Sequence, residues 1–404
     1  MTTIENAARE TICAAAGVGA DKAYRSVSPP LHLSANYAFS DPTQKPQFDY
    51  ARSGNPTRAE LETALAELEG AARGVITASG MAALDLVLCL VDPGETVLAP
   101  HDCYGGTHRL LCARAKKGQF NVEFVNQSDT LALQSAFAVK PKLVLIETPS
   151  NPLLRITDIA ACVELAKRHG AITVADNTFL SPALQRPIEL GVDIVVHSTT
   201  KYINGHSDVV GGAVLAADEK LGEELAWWAN CTGVTGAPFD SFLTLRGLRT
   251  LFPRIERQQA TAQRVIDALT RDERIVRINY PGLTTHPGHH IARRQQKGFG
   301  AMFSLELNEQ VDAVAFLRAL NLFTIAESLG GFESLVCVPA VMTHAAMPAE
   351  ARAAAGISDR LVRFSVGLEH EDDLLRDLSG ALDAASVSNH ARPASEAVIA
   401  RACA

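Results

Sequence analysis

The sequence predicts an α/β protein in which a mainly parallel, helix-covered sheet is followed by a smaller α/β domain. Three observations lead there. Strand-like and helix-like segments alternate from Gly74 to about Lys201. Polar residues gather just after several of the strand-like runs. At 404 residues the chain exceeds what one core usually fills, so two domains and a terminal arm are expected.

The composition narrows the class. Apolar residues make up 47% and charged residues 20%, the profile of a globular protein with ample core. The net charge of −8 and the pI near 5.9 argue against a nucleic-acid binder and against attraction to an anionic membrane. Eight cysteines are scattered with no CxxC pair, and Cys89 and Cys162 sit in apolar helical contexts. This is no disulfide framework, and a reducing, cytoplasmic setting is expected. No signal peptide and no run of membrane-spanning length is visible, and no repeats are apparent.

Residues 1–55 lack sustained periodicity and carry Pro29, Pro30, Pro42 and Pro46, so an extended arm lying on something else is expected. Asp49, Tyr50 and Arg52 stand beside SGNPT; taken alone they read as a solvated loop before a helix. Asn55 is placed to cap that helix, Pro56 to occupy its first turn, Leu61, Leu65 and Leu68 to form its apolar stripe, and Gly70 to end it.

A strand at 74–77 runs into Ser79-Gly80-Met81 and an apolar helix through Val91. A small-residue turn feeding a helix start is an anion site in waiting, though a weak motif alone. A strand at 96–99 follows, then a loop containing Tyr104, then a helix over 107–117. Further strands are expected at 122–125, 143–147, 171–175 and 193–196. Three of them end in polar clusters: Asn151 lies after 143–147, Asp176 after 171–175, and Ser198-Thr199-Thr200-Lys201 after 193–196. In a parallel sheet these ends share one rim. Asp176 either caps a turn or pairs with a protonated ring nitrogen. Lys201 is either a surface lysine or one whose amine forms a Schiff base beside phosphate-binding hydroxyls.

Beyond this region, 248–272 reads as one linking helix. Residues 301–307 and 361–366 alternate as half-buried strands, with helical segments at 311–320 and 371–385. Arg363 in the last strand is either an exposed position or a buried anion clamp. His286, His289 and His290 lie among Pro287 and Gly288 without thiolate or carboxylate partners, so a loop is expected there and no metal site. The tail from Ala385 shows no strong periodicity and is expected to be disordered.

The stretches YARSGNPTR (50–58), ETPSNPLLR (147–155), VADNTF (174–179) and HSTTKYINGHSD (197–208) resemble the Cys/Met-metabolism family of pyridoxal-phosphate (PLP) enzymes. The likeness runs from about Tyr24 to Ala384. APHDCYGGTHRL (99–110), ARRQQKGFGAM (292–302) and LFTIAESLGG (322–331) are most similar to the bacterial cystathionine γ-synthases within it. The resemblance implies fold type I, like aspartate aminotransferase, with a seven-stranded-type sheet in the large domain and a homotetramer built from two dimers. It implies an arm at 1–60 contacting the neighbouring subunit, a PLP-binding domain at 61–258, a small domain at 259–384 and a tail at 385–404.

The resemblance also implies roles. Lys201 would carry PLP, Asp176 would hold the ring nitrogen, and Tyr104 would stack on the ring. Ser79, Gly80, Met81, Ser198 and Thr200 would hold the phosphate, joined by Tyr50 and Arg52 from the neighbouring subunit. Asn151 would sit near the ring's 3′ oxygen, and Arg363 with Ser328 would take the substrate α-carboxylate. Glu327 with Asp49 would hold the ammonium of incoming cysteine, and Arg109 the distal carboxylate of a succinyl ester. The implied reaction is γ-replacement: O-succinyl-L-homoserine and L-cysteine give L-cystathionine and succinate. The alternatives on the same cofactor are cystathionine γ-lyase and O-acyl-homoserine sulfhydrylase. A non-catalytic member would have lost one of these residues, and none is missing.

Overall fold

The computed structural model describes residues 7–345 and 347–386. The first sheet contains β1 (Arg73–Thr77), β2 (Thr96–Pro100), β3 (Asn121–Val125), β4 (Leu143–Glu147), β5 (Ile172–Asp176), β6 (Ile194–His197) and β7 (Gly212–Ala216). Their order is β1-β7-β6-β5-β4-β2-β3. All neighbours are parallel except β7, which runs antiparallel to both β1 and β6. β4 and β7 are buried along their whole length, as a sheet covered on both faces requires. Within this sheet β7 is the strand the sequence did not announce: GAVLA is a short apolar run, equally at home in a helix.

The second sheet contains β8 (Ile275–Asn279), β9 (Met302–Leu307), β10 (Thr324–Ile325), β11 (Leu335–Cys337) and β12 (Leu361–Ser365), in the order β10-β11-β12-β9-β8. β9 and β12 are not half-buried as their alternation suggested. All of β12 and all but Glu306 of β9 are buried, because these strands lie inside the sheet. Phe303 and Phe364 stack between them at 4.8 Å. Helices Ala313–Ala319 and Glu371–Ala385 pack on each other, and the second also packs on helix Leu251–Leu269.

The N-terminal segment departs from the expected extended arm. Arg9–Ala15 forms a helix, α1, packed on α2 (Pro56–Glu69) and on helix Leu251–Leu269. Cys13 is its buried anchor, with Sγ 2.8 Å from the Leu248 carbonyl. One buried side chain in seven residues leaves too little periodicity to see. Between the two helices the chain exposes apolar groups instead, Tyr24 at 91%, Val27 at 75% and Leu33 at 65%. α2 starts as expected: Asn55 Oδ1 accepts from the Thr57 and Arg58 amides at 2.9 and 3.1 Å, and Gly70 ends the helix at φ +77°.

Two further expectations are corrected. The linking helix expected at 248–272 is shorter, Leu251–Leu269, and it follows a separate helix, Pro238–Leu248. The break follows Gly247, where a Cβ would lie 2.0 Å from the Asn204 carbonyl oxygen, so the backbones touch there. His289 and His290 open a short helix, His289–Gln295, rather than lying in a loop with His286. Among the described residues, no helix is long and apolar enough to cross a membrane. The tail beyond Ser386 lies outside the described residues.

Candidate active site

The carboxyl ends of β4, β5 and β6 share one rim, as parallel pairing dictates: Glu147 stands opposite Asp176, and Asp176 opposite Val196. Above this rim lies a cavity of about 400 Å³, closed on the other side by Glu327, Ser328 and Arg363 of the second sheet's region. Its wall also includes Ser79, Gly80, Met81, Tyr104, Asn151 and Lys201. Asp176, Ser198 and Thr200 complete the set. These twelve sequence-predicted residues are therefore brought together. Asp49, Tyr50, Arg52 and Arg109 are not among the residues that line the cavity.

The first turn of α3 (Gly80–Leu88) forms one end. Ser79 Oγ accepts from the Ala82 amide at 3.1 Å, so the cap is a side chain and the earlier amides of the turn stay available. A Cβ on Gly80 would lie 2.7 Å from the Ser198 Cβ, so only glycine lets the helix start sit against the Ser198 hydroxyl. Amides, dipole and hydroxyls converge there as an anion site requires.

Lys201 follows β6, and its Nζ donates to Ser328 Oγ, near the second sheet, at 2.6 Å. Burial, then the Arg363 charge, push its amine down to about 8, with Glu327 opposing. A neutral amine is thus accessible close to neutral pH. Arg363 is buried at 3% exposure. Its Nη1 donates to Asn151 Oδ1 at 3.0 Å and its Nη2 to the Ser328 carbonyl at 2.9 Å. Both bonds orient the guanidinium fork and leave N–H groups free for a carboxylate.

Burial also raises the Asp176 carboxyl, while the Thr178 donors and the His197 charge pull it down. Glu147 carries no expected role from the sequence, yet it is the central support. Its Oε2 accepts the Tyr104 amide and its Oε1 the Asn151 amide, both at 2.9 Å. Burial, then Asp176, raise the Glu147 carboxyl well above the usual range. The visible signal was a glutamate closing an otherwise apolar strand, the same pattern that flagged Asp176. Tyr104 precedes α4 (Gly105–Lys116) and is 37% exposed. A Cβ on Gly106 would lie 2.5 Å from its ring, so the helix start is shaped to let the ring lie there. Burial, then Glu327, raise the Tyr104 phenol.

The other four predicted residues are elsewhere. Arg52 Nε donates to Asn230 Oδ1 at 3.0 Å, and its guanidinium lies 5.4 Å from the Tyr50 ring centre. Tyr50 is half-exposed. Asp49 binds Ser53 Oγ at 2.7 Å and Lys45 at 3.2 Å. Arg109 is exposed on α4.

The residues present fit PLP. Anion donors stand at one end, and the half-buried Asp176 carboxylate lies on the rim with no salt-bridge partner among the described residues. An amine poised near neutrality lies beside them.

Comparison with known proteins agrees. The family described as "Cys/Met metabolism PLP-dependent enzyme" matches residues 10–383. The chain is 53% identical over 378 residues to cystathionine γ-synthase of Escherichia coli K12, covering 93% of this chain and 98% of that one. It is 44% identical over 367 residues to cystathionine β-lyase of Lactococcus lactis subsp. cremoris MG1363, covering 91% and 97%. A crystal structure of cystathionine γ-synthase from Xanthomonas oryzae pv. oryzae, in complex with aminoacrylate and cysteine, superposes with a TM-score of 0.93 at 57% identity, covering 94% and 98%. The fold, the cavity and these relatives lead to one conclusion: the chain belongs to the Cys/Met-metabolism family of PLP-dependent enzymes.

Proposed function

We propose that the chain catalyses γ-replacement, joining the Cγ of O-succinyl-L-homoserine to the sulfur of L-cysteine and releasing succinate. The alternatives are cystathionine γ-lyase and O-acyl-homoserine sulfhydrylase, reactions on the same cofactor. The observation carrying the reading is the cavity's polarity. A buried arginine fork held by Asn151 and Ser328 stands on the same wall as the exposed Glu327 carboxylate. The fork suits an α-carboxylate, and the free carboxylate suits the ammonium of a second amino acid. The γ-synthase likeness at 53% identity favours cysteine as that second substrate.

When bound, PLP supplies an electron sink that stabilises negative charge at the substrate Cα. Ser79, Gly80, Met81, Ser198 and Thr200 would hold its phosphate, Asp176 its ring nitrogen, Tyr104 its ring face and Asn151 its 3′ oxygen. Lys201 would hold its aldehyde carbon and, once freed, would carry one proton at a time, taking it from Cα, passing it to C4′ and only then taking the Cβ proton. The Cγ–O bond then breaks with its electron pair leaving on succinate. Cysteine thiolate forms the C–S bond at Cγ, and Lys201 returns protons to Cβ and Cα. Arg363 with Ser328 fixes the substrate α-carboxylate during both halves. Glu327, with Asp49 of a neighbouring copy, would take the cysteine ammonium, and Arg109 the succinyl carboxylate.

Tyr50 and Arg52 would reach the phosphate of a neighbouring copy, which makes a dimer the active unit, within a homotetramer in the cytoplasm. In this reading 1–60 is the arm, 61–258 the PLP domain and 259–384 the small domain. Replacement Glu327→Ala tests the assignment. Cysteine KM is expected to rise about 10-fold, as loss of one charged contact of about 1.4 kcal/mol implies. An unchanged cysteine KM contradicts it.

A further inference from the structure

His344 has no part in the roles above. It lies between the short turn Pro339–Val341 and the helix Ala349–Ala355, beyond β11 in the second sheet's region. Its side chain is nonetheless fully buried and reaches the loop that follows β4 of the first sheet. Nε2 stands 3.0 Å from the Asn151 carbonyl oxygen, and Nδ1 2.9 Å from Thr343 Oγ1. A carbonyl can only accept, so Nε2 carries a hydrogen and donates it. Burial, then the Arg363 charge, push the ring down to about 4, so it is neutral and Nδ1 accepts from the Thr343 hydroxyl. Both nitrogens are used, and their partners fix the tautomer.

Asn151 is what this ring grips. Its amide donates to Glu147 Oε1 at 2.9 Å, its carbonyl takes His344, and its Oδ1 takes Arg363 Nη1 at 3.0 Å. Among the described residues no backbone N–H reaches that carbonyl, so the histidine is its donor. A buried carbonyl without one is costly. With the peptide groups on both sides of its Cα held, Asn151 aims its side chain from a fixed base. Oδ1 is committed to Arg363, so Nδ2 is the group left for the cavity that Asn151 borders.

Attachment between the two regions does not depend on His344. Arg155, in the same loop, donates from Nη2 to the Ala355 carbonyl at 2.8 Å and from Nη1 to Asp102 at 2.9 Å. The backbone beside His344 is also pressed against the start of α4, where a Cβ on Gly105 would lie 2.6 Å from the Thr343 carbonyl oxygen. What His344 adds is direction, because it acts on the residue that holds the Arg363 fork.

We propose that His344 is a positioning residue for the carboxylate clamp: its Nε2–H holds the Asn151 carbonyl, so that Asn151 Oδ1 keeps the Arg363 fork aimed at the substrate α-carboxylate. The inference rests on Arg363 being that clamp. The clamp then draws on three parts of the chain: β12, the loop after β4, and the segment after β11.

Glycine is the probe, because it carries an α-carboxylate and an amine and no side chain for other residues to hold. Holoenzyme is titrated with glycine and the absorbance of the bound cofactor is followed. The variants are His344→Asn, His344→Gln, Asn151→Ala and the double variant of His344→Asn with Asn151→Ala. Asparagine at 344 keeps an acceptor at the place of Nδ1 but is too short to reach Asn151, whereas glutamine extends an N–H toward the place of Nε2. His344→Asn is expected to raise the glycine dissociation constant about 10-fold, and His344→Gln no more than about threefold. Asn151→Ala removes the side chain through which His344 acts, so adding His344→Asn to it is expected to change the constant less than about twofold. A role confined to packing would add its loss in full on either background. Thr343→Val, which removes the hydroxyl on Nδ1, is expected to stay within about twofold of wild type.

Wild-type glycine affinity in His344→Asn, or additive losses in the double variant, overturns the proposal. So does a loss of about 10-fold in His344→Gln, and this arm decides if His344→Asn folds poorly. A loss of that size in Thr343→Val gives the ring's role to the hydroxyl and overturns it too. Equal glycine affinity in wild type and Arg363→Lys overturns the reading of Arg363 as the clamp, and the proposal with it.

Discussion

Lys201 Nζ donates to Ser328 Oγ at 2.6 Å, and Ser328 is one of six non-glycine residues with positive φ among the described residues, at +81°. The Ser328 carbonyl also takes Arg363 Nη2. A residue held in an unfavourable backbone region thus joins the reactive amine to the carboxylate clamp, and strain of that kind persists where surrounding contacts fix it. Ser328→Gly is predicted to raise thermal stability by about 1 kcal/mol through relief of strain. The same change is predicted to lower kcat/KM about 10-fold through loss of the hydroxyl, a loss of about 1.4 kcal/mol. Melting curves and initial rates check the two effects together.

The Lys201 amine at about 8 sets a pH signature for the stripped enzyme. Only the neutral amine attacks an aldehyde, so PLP capture is predicted to accelerate with rising pH and level off above a midpoint near 8. Glu327 raises this amine's proton affinity, so Glu327→Gln is predicted to move the midpoint lower. Stopped-flow absorbance across the pH range measures it. A midpoint unmoved by Glu327→Gln removes that carboxylate from Lys201's surroundings.

Glu147 predicts a slope in stability. Its folded-state carboxyl is raised above the unfolded one, so the folded protein binds the extra proton between the two values. The stabilisation is full below the unfolded value, near 4.5, and is lost as pH rises through the folded value. Urea midpoints of stripped wild type between acidic and neutral pH should therefore carry this downward contribution. Glu147→Gln should lack it when the two curves are subtracted. The variant also loses one of two amide bonds, at a cost of about 1–3 kcal/mol.

Much of this was readable in advance. The strand–helix rhythm, the Asn55 cap, and Asn151, Asp176 and Lys201 after successive strands all announced themselves by residue type and position. What stayed hidden has a physical cause in each case. Seven-residue α1 is anchored by one buried side chain, Cys13, and leaves no stripe. β7 is apolar throughout, so no alternation marks it or its antiparallel direction. Glu147 reaches the Tyr104 amide 43 residues away in sequence, which spacing cannot reveal. Asp49, Tyr50, Arg52 and Arg109 sit outside this chain's own cavity lining, and their proposed partners are on another copy or on the substrate.

Arg363→Lys tests the clamp. Lysine keeps the charge but loses the planar fork held by Asn151 and Ser328. KM for the amino-acid substrate is predicted to rise about 10- to 100-fold, with PLP affinity of the stripped enzyme within about twofold of wild type. A parallel loss of PLP affinity would place Arg363 on the cofactor instead.

The reaction itself is decided by one comparison. Purified holoenzyme is given O-succinylhomoserine with cysteine, O-succinylhomoserine with sulfide, and cystathionine alone, and kcat/KM is measured for each. The account predicts the highest value with cysteine, with cystathionine and succinate formed in equal amounts. A higher value with sulfide, or faster breakdown of cystathionine alone, contradicts it.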